Sequence, residues 1–152
     1  MNTNIRHANR DDIPIILELI KGIADYEKLL DQVESSPDVL EQELFDEKNA
    51  NVLLAYSKNQ PVGFALYFNN FSTFKGKKGL YLEDLFVKPD FRGKGIGNDL
   101  FHSLVSIAKK SNCGRMEWVC LNWNEPAIEF YKKKKAEPLS DWTVFRLDEI
   151  DF

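Results

Sequence analysis

Apolar residues change their period along this chain, and each period predicts an element. Asn4 to Ala8 reads as a short first strand. Asp11 and Asp12 then open a helix in which Ile13, Ile16, Leu17, Ile20 and Ala24 recur on one face, with Pro14 tolerated in the first turn. That helix is expected to reach the Tyr26 region. Ser36 caps a second helix, with Pro37 at its first position and Val39, Leu40, Leu44 and Phe45 as its inner face. Asn51 to Tyr56 and Pro61 to Phe68 read as strands joined by the turn Ser57-Lys58-Asn59-Gln60, a hairpin. Residues 69–79, where Gly76 and Gly79 bracket lysines, read as loop, and Leu80 to Val87 as a third long strand.

The helical period returns at Ile96, Leu100, Leu104 and Ala108. This helix is predicted from Gly95 to about Ser111, with Asn112-Cys113-Gly114 as its stop. Arg115 to Leu121 reads as another strand. Asn124 caps a last helix carrying Pro126, Ile128, Phe130 and Tyr131, and Trp142 to Leu147 reads as a final strand. The order is β-α-α-β-β-β-α-β-α-β. It predicts an α/β sandwich with a mixed, mostly antiparallel central sheet flanked by helices and a crossover helix after residue 95. No linker or repeat interrupts it, so residues 1–152 are expected to be a single domain.

Composition narrows the function. A net charge of −4 argues against a nucleic-acid binder, which would need a basic face. The run Lys132 to Lys135 falls at a helix C-terminus, where cations complement the dipole. No apolar run would span a bilayer, and the first residues lack a signal-peptide core, so a cytoplasmic protein without a membrane partner is expected. Cys113, Cys120, His7 and His102 fit no metal-ligand, redox or triad spacing.

The chemistry concentrates in Arg92-Gly93-Lys94-Gly95-Ile96-Gly97, between a strand and a helix. Such a turn aims backbone N–H groups at a phosphate: glycine permits close approach, and the helix N-terminus adds partial positive charge. The dinucleotide fingerprint G-x-G-x-x-G does not fit, and neither does the nucleotide-hydrolase loop, because Asn98 and Asp99 follow Gly97. The form that fits is R-x-x-G-x-G.

Three blocks carry a resemblance: LYLEDLFVKPDFRGKGIG (Leu80 to Gly97), NWNEPAIEFYKKKKA (Asn122 to Ala136) and ADYEKLLDQV (Ala24 to Val33). R-x-x-G-x-G resembles the acyl-coenzyme A signature of the GCN5-related N-acetyltransferase (GNAT) superfamily. The other blocks look like its diamine (spermidine/spermine) and thialysine acetyltransferase branch. Lys135 stands where similar proteins carry glycine, so the end of the last helix is expected to differ.

The resemblance implies a GNAT-type sandwich, acetyl-coenzyme A as acyl donor, a small polycationic or lysine-like amine as acceptor, and a homodimer. The amine would attack the thioester directly, in a ternary complex. It must first lose a proton, the oxyanion needs a donor, and the departing thiolate benefits from an acid. From helical spacing alone Tyr131 is better read as a core aromatic, but it matches the proposed general acid of similar enzymes. Ala127, one turn earlier, leaves room for the cofactor. Glu83 is the candidate for handling the amine, directly or through a water. Asp84 is either its partner or a structural carboxylate, since alternate residues of a regular strand face opposite ways unless a bulge intervenes. Glu83 is favoured because it shares parity with Leu85 and Val87. By the same resemblance, Leu85 and Phe86 pair with the pantetheine arm, and the Val87 N–H meets the thioester carbonyl. The backbone of Arg92, Gly93, Lys94, Gly95, Ile96, Gly97 and Asn98 cradles the pyrophosphate, and Asn124 contacts the cofactor or serves as a plain cap. Tyr26 and Glu27 match the amine-binding element, with Glu83, Asp84, Glu117 and Trp118 as further lining. Two other readings remain open: acetylation of a protein N-terminus or lysine, and a non-catalytic acyl-coenzyme A sensor.

Overall fold

Strand β2 (Asn51–Ser57) is apolar at consecutive positions because both its faces are covered. Val52 and Leu54 face one cluster of buried side chains, and Leu53 and Ala55 face another. The computed structural model describes residues 3–152. It comprises two units, Met1–Val119 and Cys120–Phe152.

The first unit is built on one sheet of five strands in spatial order β1 (Thr3–His7), β2, β3 (Gln60–Ser72), β4 (Lys77–Val87) and β5 (Met116–Glu117). Neighbours from β1 to β4 are antiparallel; β5 runs parallel to β4. Helix α1 (Ile13–Tyr26) covers one face with α2 (Pro37–Glu41), which continues as a wider turn over Gln42–Asp46. Ile16, Leu19, Leu40 and Leu44 pack there against Leu54, Phe64 and Phe86. Helix α3 (Ile96–Lys110) covers the other face, its Ile96, Leu100 and Leu104 against Val62, Leu80 and Leu82. Burying an aliphatic side chain of this size stabilises a fold by roughly 1.5–3 kcal/mol. This is the mixed α/β sandwich expected from the pattern, with Pro14 in the first turn of α1 and Ser36 accepting the Val39 N–H as the cap of α2.

Four expectations are corrected. Residues 69–79 are not a loop: Asn69 pairs with Leu80 and Ser72 with Lys77, so β3 and β4 form one long ribbon. Its tip stands in solvent, with Phe74 almost wholly exposed, so burial imposes no alternation there. Arg115 to Leu121 is a strand only at Met116 and Glu117, the two rungs that face β4. Val39 is exposed, because Leu40 and Leu44 carry the inner face of α2 and its continuation. Trp142 to Leu147 is no strand. Its β-branched and aromatic residues favour an extended chain, but a strand needs a paired neighbour, and Trp142, Val144 and Phe145 are exposed.

The second unit holds α4 (Glu125–Lys133), with Asn124 buried at its N-cap and its side chain accepting the Ala127 N–H. Ile128, Phe130 and Tyr131 are half-buried. The helix ends without glycine: Lys135 itself takes the left-handed conformation, φ 64°, and the Ala136 N–H reaches back to the Tyr131 carbonyl.

Candidate active site

A one-residue bulge shapes the site. Opposite Leu66 stands Asp84, and opposite the next residue, Tyr67, stands Leu82, so Glu83 is the extra residue of β4. An extra residue reverses the alternation beyond it. Leu80 and Leu82 face α3 before the bulge; Leu85 and Val87 face it afterwards. Asp84 therefore shares the parity of Phe86, on the side of α1. The bulge removes the alternation that would have set Glu83 and Asp84 on opposite faces of a regular strand.

The electrostatics support this grouping. Burial pushes the Asp84 carboxyl up to about 7, and the charges of Glu83 and Glu27 add to the effect. Burial and then Glu83 raise Glu27, which follows the last residue of α1. The Tyr81 phenol is raised by burial, then by Glu83 and Glu117. Glu27, Glu83 and Asp84 thus feel one another's field, while Glu117, which acts on Tyr81, is paired to Arg115 at 3.0 Å. A carboxylate that titrates near 7 is suited to taking a proton at neutral pH, and a group of acids concentrates negative charge for a cation.

Two rungs, Leu80 to Met116 and Tyr81 to Glu117, join β4 to β5. Among the described residues the β4–β5 pairing ends there, so the edge of β4 from Leu82 to Val87 lies beyond its last rung. Leu85, Phe86 and Val87 bring that edge to the glycine turn. Gly93 and Gly95 take left-handed φ values of 73° and 86°, and an added Cβ at either would meet nothing within 4 Å. The glycines are thus required by conformation, not by crowding. The first helical bond of α3 runs from the Asp99 N–H to the Gly95 carbonyl, which leaves the N–H groups of Ile96, Gly97 and Asn98 without intrahelical acceptors. These features fit a phosphate-bearing group. The Lys94 ammonium turns back to the Asp90 carbonyl, at 3.1 Å.

Two expected residues take different surroundings. Trp118 packs edge-on against Phe101, with ring centroids 5.5 Å apart, on the α3 side. Arg92 sends its side chain away from the glycine turn: Nε donates to the Val87 carbonyl at 2.8 Å, and the guanidinium lies 4.6 Å from the Tyr26 ring centroid. No spacing signals this contact, because Tyr26 and Arg92 meet only when α1 lies on β4. On α4, Ala127 and Tyr131 are one turn apart, with Asn124 at the helix start and the Tyr131 ring edge-on to Phe130 at 5.4 Å.

A five-stranded mixed sheet between helices, with a bulged acid-bearing strand leading into a glycine turn and helix, defines the class: an acyl-transferring α/β sandwich. The acetyltransferase (GNAT) family model matches residues 18–135, and the chain belongs to that family. It is 36% identical over 156 residues to the thialysine N-epsilon-acetyltransferase of Bos taurus, covering 95% of this chain and 91% of that protein. It is 35% identical to the human spermidine/spermine N(1)-acetyltransferase-like protein 1, covering 95% of this chain and 22% of that longer protein. Among solved structures, an integron cassette protein from the mobile metagenome of V. cholerae superposes with a TM-score of 0.81 at 27% identity, covering 97% of this chain and 93% of that one. The protein is an N-acetyltransferase of the GNAT family, with relatives in the thialysine and polyamine branch.

Proposed function

We propose that residues 1–152 work as a single acetyl-coenzyme A-dependent domain that acetylates a primary amine of a small polycationic or lysine-like substrate. The observation that carries this is the bulge at Glu83, beside which Asp84 feels the charges of both Glu83 and Glu27. A second positive charge on the substrate would be matched by that group. The names of the relatives, acetyltransferases of thialysine and of spermidine or spermine, agree with such an acceptor.

Acetyl-coenzyme A supplies the activated acetyl group when bound. The backbone of residues 92–98 would hold its pyrophosphate, and the edge of β4 at Leu85 to Val87 its pantetheine arm. Asp84, with Glu83, receives the proton of the ammonium, directly or through water, which frees the lone pair for attack. The Val87 N–H stabilises charge on the carbonyl oxygen. The Tyr131 phenol, on the face of α4 that also carries Ala127, gives its proton to the leaving sulfur. No covalent enzyme intermediate is needed. The working form is a cytoplasmic homodimer; in the described residues no helix is long and apolar enough to cross a membrane.

Release of coenzyme A from acetyl-coenzyme A, measured against diamines, polyamines, thialysine, ornithine, lysine and peptides, tests the reading. Rapid turnover with one small cationic amine is the expected result. Turnover with peptides alone would transfer the activity to protein acetylation, and binding without turnover would leave a sensor. Tyr131→Phe should lower turnover strongly while the affinity for coenzyme A stays the same; unchanged turnover would remove Tyr131 from the mechanism.

A further inference from the structure

The end of α1 is tied to the end of β4 by three contacts. Gly22 lets the helix close on the strand, since a Cβ there would stand 2.8 Å from the Phe86 ring. Lys88 pairs with Glu18 at 2.7 Å. Arg92 crosses above both, its guanidinium 4.6 Å from the Tyr26 ring centroid and 5.4 Å from that of Phe86, while its Nε is fixed by the Val87 carbonyl at 2.8 Å. Beneath it lies a cleft of about 340 Å³, with Tyr26, Phe86 and Arg92 in its wall.

These ties differ in what they can report. Gly22 and Glu18 meet the strand and the residue just after it. Arg92 alone of the three contacts belongs to the glycine turn, one residue before Gly93. Its backbone runs straight into that turn, while its planar head rests on Tyr26, the neighbour of Glu27. A guanidinium over a phenol ring is directional and spans the two elements as a short strut.

From this geometry we infer that Arg92 is a positioning residue which couples the donor site to the acceptor site: a ligand seated on the glycine turn fixes Arg92, and Arg92 fixes the Tyr26-Glu27 end of α1. The inference rests on the donor reading of that turn given above. Such coupling is reciprocal, so an amine held at Glu27 also favours the donor. The second tie is not redundant with it, because Glu18, the partner of Lys88, lies about two turns before Tyr26 on α1.

Amide hydrogen exchange over residues 22–28 tests the strut, with coenzyme A alone as the probe, so that no acceptor need be known. In the unmodified chain saturating coenzyme A should slow exchange at this helix end by roughly two- to fivefold, the range of one exposed cation–π contact. Arg92→Gln and Tyr26→Leu remove the strut from opposite sides, and each should abolish the slowing. Tyr26→Phe keeps the ring face and should retain it. Far-UV circular dichroism confirms that each variant is folded. Persistence of the slowing in either Arg92→Gln or Tyr26→Leu overturns the inference, as does its absence in the unmodified chain when coenzyme A binds. If titration shows that the unmodified chain does not bind coenzyme A, the donor reading itself has failed and the inference falls with it.

Discussion

Glu83 and Asp84 are neighbours in unlike surroundings, one exposed at the bulge and the other half-buried with its carboxyl raised to about 7. Asp84 holds its proton more tightly in the folded than in the unfolded chain, where the ordinary value is 3.8. The folded state therefore loses stability as pH rises from about 4 to about 7, and the deficit remains above that. Asp84→Asn should raise stability at pH 8 by on the order of 2 kcal/mol, with little gain at pH 4, while acetylation falls. Denaturant melts at the two pH values measure the first effect. In the unmodified protein kcat/KM should climb with an inflection near pH 7, and a flat profile in that window would exclude Asp84 as the proton acceptor. Lys135 offers a separate residue-scale test. A left-handed lysine is strained by ~1–2 kcal/mol, and glycine relieves this at some entropic cost, so Lys135→Gly should stabilise by up to ~1 kcal/mol in thermal melts. The sequence disclosed that glycine was missing there; it did not disclose that lysine would adopt the same conformation.

At the scale of elements, what was legible followed from short-range rules. The apolar periods located α1 and α3, Ser36 located the start of α2, and Lys58-Asn59, both left-handed, closed the predicted hairpin. The glycine turn was legible because its conformation is local. Gly95→Ala, which meets no steric obstacle but forces a side chain to φ 86°, should weaken coenzyme A binding by ~tenfold in calorimetry with the helix intact. What was not legible depended on pairing. Asn69 to Ser72 carry no apolar alternation yet lie in the ribbon, because backbone hydrogen bonds to Lys77 to Leu80 hold them. Trp142 to Leu147 have the composition of a strand and no rung. The strut from Arg92 to Tyr26 joins residues 66 positions apart in sequence, and their separate motifs gave no sign of it.

At the scale of the whole molecule, the sheet keeps two cores apart, each with its own helices, and the acids stand where β4 leaves the last rung it shares with β5. The chain also exposes Leu139, Trp142, Val144, Phe145, Leu147, Ile150 and Phe152. An exposed apolar set of this density is what the proposed homodimer would cover. Light scattering should give twice the chain mass for the unmodified protein and a shift toward the monomer when Trp142→Ser and Phe145→Ser are combined. A dimer that persists in that variant would place the interface elsewhere.

The bulge at Glu83 has one further consequence, for how this strand can change over time. A single added residue acts on β4 as a phase shift: everything after it is read on the opposite side. Deleting Glu83 would remove one carboxylate and leave Asp84, Leu85 and Phe86 opposite Leu66, Ala65 and Phe64 as they are, in a strand that alternates regularly. Substitutions at Glu83 and Asp84 can retune the proposed acceptor site by small steps, and loss of the extra residue straightens the strand while both cores keep their side chains. The acid pair can in that sense change without any rebuilding of the double core.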